Sequence, residues 1–245
     1  MTAPTFPSRI DPSPLRRGAL RLASAGIVAA AVAVGLVAGQ GAAHSRGGDT
    51  GAVAGAVVIK ALDGQPKRAR GGVVVSLDGV PGARPKPMRT EMGQRDRQFE
   101  PSVLVVTRGS TVSFPNHDKI FHNVFSVSPA ARFDLGLYKS GESKEVSFRR
   151  GGDVDVFCNI HPEMAARIRV VDTRFYAVTA PDGSFRIEGV PAGTYPVQAW
   201  YADGDGWKGE VTITAGGDAK VEPTVTESRR RRHARKDGTP YGRYK

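Results

Sequence analysis

Val154-Asp155-Val156-Phe157-Cys158-Asn159-Ile160-His161-Pro162-Glu163-Met164 reads first as a short apolar strand and then as a turn crowded with soft donors. The strand, residues 154–157, delivers Cys158 rigidly. The turn that follows bends back and brings His161 and Met164 round the same point. A thiol, an imidazole and a thioether at C-x2-H-x2-M spacing is a weak signal piece by piece, because a lone buried Cys or Met is usually packing. The conjunction is strong, since Cys158 is the only cysteine in 245 residues. Upstream, Phe114-Pro115-Asn116-His117-Asp118 leads into Phe121-His122-Asn123-Val124-Phe125. His122 starts a second strand, and the separation from Cys158 leaves room for the strands between them.

Two imidazoles, one thiolate and a weak axial thioether form the trigonal donor set of a mononuclear copper site built for electron transfer. The expected ligands of one copper ion are His122, Cys158, His161 and Met164. Zinc competes poorly, because Met is a weak zinc ligand and no second thiolate or carboxylate completes the set. His117, five residues before His122, reads as a solvated turn residue. The single cysteine excludes a disulfide framework and a thiolate-bridged binuclear centre. No His-x-His pair exists from which a multicopper cluster could be built, and an enzyme is not expected.

The remainder reads as strands. Apolar or alternating runs fall at residues 55–61, 72–77, 103–107, 111–114, 123–127, 145–148, 154–158 and 166–171. Further runs follow at 175–179, 185–190, 195–201, 209–214 and 219–225. Asp63-Gly64, Asp78-Gly79, Asp182-Gly183 and Pro191-Ala192-Gly193 punctuate them as turns. After residue 40 no stretch has the 3.6-residue period of an amphipathic helix. The fold class is all-β, in sandwiches or Greek-key barrels.

The net charge of +11 sits at the two ends. Residues 1–45 carry +3 and residues 229–245 carry +7, so the middle is nearly neutral at +1. A nucleic-acid partner wants a basic face on the folded domain and is not expected. Arg16, Arg17 and Arg21 precede an uncharged apolar run at residues 22–39, with small residues at Gly41-Ala42-Ala43. This is the pattern of an export signal over residues 1–45, or of an uncleaved membrane anchor. It places the rest of the chain outside the cytoplasm, in a periplasm or on the outer face of the membrane. The tail, residues 227–245, reads as a basic disordered end able to meet an anionic surface or steer a redox partner protein.

Residues 84–171 resemble a cupredoxin of the plastocyanin and amicyanin type, and the short C-x2-H-x2-M loop with Pro162 after the His is closest to amicyanin. The resemblance implies a Greek-key barrel and a blue copper site on the four ligands above. It also implies that Asn123, next to the first His ligand, ties the two ligand loops together. Glu163 departs from the pattern by placing a charge beside the expected exposed edge of His161. Residues 172–226, with Asp182-Gly183-Ser184-Phe185-Arg186-Ile187 and Val190-Pro191-Ala192-Gly193-Thr194-Tyr195, resemble the carboxypeptidase regulatory-like, prealbumin-type β-sandwich, expected to be the smaller domain. Residues 51–83 form a strand hairpin expected to belong to that sandwich, or alternatively to the edge of the barrel. The function that follows is an exported blue-copper electron carrier. Two other classes stand beside it: a copper storage or delivery protein, and a cell-surface binding protein with a structural copper domain.

Overall fold

Inward valines at every second position organise the strand Gly152–Phe157: Val154 and Val156 are buried while Asp153 points to solvent. Alternation of this kind is what a sheet with one face on a core demands. Its partner Ala165–Val171 keeps the same rhythm, with Ala166, Ile168 and Val170 inward. On the other face its Arg167 and Arg169 lie directly across from Asp155 and Asp153. These cross-strand ion pairs, at 3.0 and 2.6 Å, help fix the register.

The computed structural model describes residues 49–229 and 233–241, and all of its regular elements are strands. The expected export segment, residues 1–45, lies outside the described residues. Among the described residues no helix is long and apolar enough to cross a membrane.

A Greek-key barrel is built from two sheets. The larger has the order Ala131–Tyr138, His122–Ser128, Gly152–Phe157, Ala165–Val171 and Val103–Thr107, the last pair parallel. The smaller sets Ser143–Ser147 beside Thr111–Pro115 and then Arg89–Glu91. A short hairpin, Gly93–Arg95 and Gln98–Glu100, caps one end. Between the sheets lie Phe114, Phe148, Val112, Ile168 and Met92, all fully buried.

The flanking segments make a second body. Val74–Leu77 sits between Tyr176–Val178 and Gly193–Trp200, and Trp207–Ile213 completes that sheet. Thr50–Ala56 lies between Ser184–Pro191 and Asp218–Lys220. Val58–Lys60 runs parallel to Thr224–Glu227. Strands before and after the barrel therefore share one sandwich core of Val53, Ile59, Leu77, Val190, Val197 and Ile213. Each such side chain is worth roughly 1.5–3 kcal/mol of burial. A smaller cluster of Val74, Val171, Trp200 and Ala202 joins the two bodies, with Val103 and Val105 packed on it. Over it lies the Arg169 guanidinium, 5.8 Å from the Trp200 ring and bonded to Gln198 at 3.1 Å.

Some elements differ from the sequence reading. Ala131–Tyr138 is an eight-residue edge strand that Arg132, Asp134 and Gly136 make look like a loop; its register shifts between Asp134 and Leu137, where Gly136 takes φ 67°. The single strand expected over 219–225 is two, Asp218–Lys220 and Thr224–Glu227. Pro223 stands between them, without an N–H to donate, and its carbonyl accepts from Val58.

Candidate metal centre

Cys158 continues the inward phase of Val154 and Val156, so its sulfur enters the barrel and the residue is fully buried. The turn after it closes on itself: the Cys158 N–H donates to the Met164 carbonyl at 3.2 Å, and the Met164 N–H to the His161 carbonyl at 3.1 Å. His122 opens the neighbouring strand, facing Tyr138 in register, and is also fully buried. The ligand atoms of His122, Cys158 and His161 all lie within 4.8 Å of one another. The two imidazoles meet through their Nδ1 atoms at 3.1 Å, and the Cys158 sulfur is 3.6 Å from the His161 Nδ1.

Three soft or borderline donors converging at a buried barrel end suit a thiolate- and imidazole-binding metal such as copper, and with no carboxylate in the group they do not suit the hard, oxygen-binding cations. Met164 is wholly buried in the same apolar cluster as Cys158. His161 is only half-buried and forms the exposed edge of the group. His117 is exposed and outside it, with its ring against Gly93.

The surroundings set the charge state of each donor. Burial pushes the Cys158 thiol up, but His122 and the N–H groups of Asn123, Ile160 and His161 outweigh it, leaving the thiol below its ordinary value. Burial likewise presses His122 down, while its bonds to Cys158 and Asp118 carry it above the ordinary imidazole value. His161 is held low by burial and by the neighbouring His122.

Asn123 spans two loops. Its Oδ1 accepts from the Asn159 N–H at 3.3 Å, and its amide donates to Asp134 at 2.7 Å and to the Gly136 carbonyl at 3.0 Å. Glu163 faces Arg97 at 3.5 Å, an exposed pair that partly offsets its charge.

Two groups of residues beside the centre escaped the sequence reading. Asn116 builds the turn before His122: it accepts from the Asp118 N–H at 2.9 Å and donates to the carbonyls of Ile120 and Tyr138. Asp118, thus placed, meets the His122 Nε2 at 2.7 Å. An Asn-His-Asp turn carries no sign of this, although Asn at a turn start is itself a signal. The second group corrects the expectation of a wholly disordered basic end over 227–245. Among its described residues, Glu227 closes the last strand, Thr224–Glu227, and residues 233–241 lie along the Cys158 loop. The Tyr241 hydroxyl donates to the Cys158 carbonyl at 2.6 Å, and the Lys236 N–H to Asn159 Oδ1 at 3.0 Å. The Lys236 ammonium pairs with Asp134 at 2.5 Å. The His233 ring stacks on Phe157, 4.1 Å between centroids and 11° from parallel. Hidden in an arginine-rich run, these aromatic anchors carry the segment.

Comparison with known proteins adds the following. The family model of polysaccharide lyase family 4, domain II matches residues 168–221. This is a different family from the carboxypeptidase regulatory-like one that the Asp182–Ile187 motif resembles. No curated protein matches the chain. Among solved structures, a copper-containing nitrite reductase from Thermus scotoductus SA-01 is 27% identical over 38% of this chain, with a TM-score of 0.33. The match spans about a quarter, 24%, of that reductase. A purple cupredoxin from Nitrosopumilus maritimus is 20% identical over 34% of this chain and 99% of its own, with a TM-score of 0.30. A reduced amicyanin variant is 20% identical over 40% of this chain and 98% of its own, with a TM-score of 0.32.

Proposed function

We propose that this protein is an exported electron carrier with one blue copper ion, which His122, Cys158, His161 and Met164 would hold. The observation that carries the reading is the convergence of the three ligand atoms within 4.8 Å at a buried barrel end. Copper bound there supplies a one-electron couple between its monovalent and divalent states. The chain's own residues do the remainder. Packing of Val154, Val156 and Ile168 in the barrel core would hold the donors in place as the ion's charge changes. Asn123 ties the His122 strand to the Cys158 loop. The half-buried His161 edge is the way in and out for the electron, and a redox protein is the partner. The basic ends associate the chain with a membrane or cell surface outside the cytoplasm. Storage or delivery is less favoured, because Cys158 and His122 are fully buried and exchange of the ion would need the loop to open.

The test is addition of Cu(II) to the metal-free chain, read by visible absorption and paramagnetic resonance. An intense thiolate-to-copper band with narrow hyperfine splitting is expected. Cys158→Ser abolishes the band, and Met164→Gln retains copper while shifting the reduction potential, the axial ligand being a tuning group. A colourless, ordinary tetragonal signal from the wild-type chain would overturn the reading in favour of copper handling.

A further inference from the structure

Behind His122, on the side away from Cys158, lies a carboxylate whose two oxygens are both occupied. Asp118 Oδ1 accepts from the Asp96 N–H at 2.7 Å, and Oδ2 accepts from the Arg97 N–H at 2.9 Å. Oδ2 also meets the His122 Nε2 at 2.7 Å. The Asp118 side chain is 12% exposed, and that of His122 is 0% exposed. Asp96 and Arg97 form the tip of the Gly93–Arg95 and Gln98–Glu100 hairpin, and both take a left-handed backbone, φ 51° and 55°. Neither is glycine, so this tip is held against its local preference, and the carboxylate is what its two N–H groups reach.

We propose that Asp118 is a positioning residue of the metal centre: it fixes the His122 ring and its tautomer, and it locks the ring to the 93–100 hairpin. The proposal rests on the copper reading above for its functional consequence but not for its geometry. An ionised carboxylate only accepts hydrogen bonds, so the proton of a neutral His122 sits on Nε2. Nδ1 is then bare and faces Cys158 and the His161 Nδ1. In that neutral form the donor is prepared before any ion arrives, and the ring cannot rotate without breaking its bond to Asp118, which the hairpin tip holds. An amide cannot replace this carboxylate. With asparagine at 118, the NH2 group must face either the Asp96 N–H or both the Arg97 N–H and the His122 Nε2–H. The same hairpin tip also reaches the ligand turn through Arg97 and Glu163, so one clip touches both segments that carry the donors.

The charge acts as well as the geometry. A carboxylate one imidazole away from the ion favours the more positive oxidation state and lowers the reduction potential.

The first measurement needs no metal. Long-range proton–nitrogen correlation spectra of the metal-free, histidine-labelled chain at alkaline pH assign the His122 proton. The proposal expects it on Nε2 in the wild type and a mixture of tautomers in Asp118→Asn. The second measurement uses copper. Asp118→Asn is expected to bind it about 10–100-fold more weakly and at a raised potential. A wild-type proton on Nδ1 overturns the proposal. So does an Asn variant whose affinity and potential match a blue wild type. Should that variant fail to fold, the wild-type tautomer alone decides. A wild type without a thiolate-to-copper band sinks the electron-carrier reading, while the metal-free measurement still judges Asp118.

Discussion

The two cores of this chain are made of the same short strands but differ in what they bury. The sandwich encloses Val53, Ile59, Leu77, Val197 and Ile213, with Thr173, Thr179 and Ser76 as its few buried polar groups. The barrel holds eight of the eleven buried polar side chains among the described residues, including Gln94, Asn116, His122 and Asn123. Burying a polar group without a partner costs several kcal/mol, so such groups persist only where a network satisfies them. Asn116 and Asn123 each make three bonds, which join the segments that carry His122 and Cys158 to each other and to the Ala131–Tyr138 edge strand. The sandwich is a packing solution, whereas the barrel's end is a wiring solution paid for with burial.

The sharpest way to break that contrast is to hollow each core in turn. Phe148→Ala in the barrel is expected to lose about 3–5 kcal/mol and Ile213→Ala in the sandwich about 2–5 kcal/mol, measured by urea unfolding. Both side chains are essentially unexposed. Only the barrel variant should broaden or bleach the copper band. Bleaching by Ile213→Ala would show that the two interiors act as one. A smaller effect tests whether the strap at residues 233–241 belongs with the wiring. Tyr241→Phe removes the donor to the Cys158 carbonyl, worth about 1 kcal/mol. Tryptic cleavage after Arg235 and Lys236 should then accelerate about fivefold, and an unchanged rate would make the contact dispensable.

The smallest effect is a matter of pH. Burial pushes the Asp134 carboxyl up, but the Lys236 ammonium, the Gly136 N–H and the Asn123 amide leave it below its ordinary value. A carboxyl lowered in the folded state adds stability that is complete above its unfolded value, about 3.9, and is lost as pH falls through the lower folded one. The Lys236 amide signal should therefore be steady from neutrality to about pH 4 and move only below it. Movement near neutrality would mean that another group holds the strap.

Strand existence was legible wherever a solvent face alternates with a core face, as at Val154 and Val156. Cys158 and His161 were legible as candidate donors because they sit on one turn, and the structure brings them to His122. What escaped were contacts between elements distant in sequence. The 93–100 hairpin has no apolar alternation to announce it, and the burial of Gln94 is set by Tyr138 and Phe114, which its amide meets across the fold. Asp118 reads as a turn residue because its role depends on Asp96, Arg97 and His122 together. Residues 233–241 read as solvated because charge dominates their composition, while Tyr241 and His233 find Cys158 and Phe157 across the fold.

The interrupted sandwich has a consequence for the order in which the chain assembles. Val74–Leu77 must find Gly193–Trp200 across more than a hundred intervening residues. Joining the ends of an unstructured loop that long carries an entropic penalty that grows by about 0.6 kcal/mol with each doubling of its length. A barrel that has already formed removes that penalty, since it presents Arg89–Glu91 at one end of a short path and Val171 at the other. Whatever stabilises the barrel thereby acts as a scaffold for strands it never touches, and an ion at the proposed centre would tie the maturation of the sandwich to its own binding.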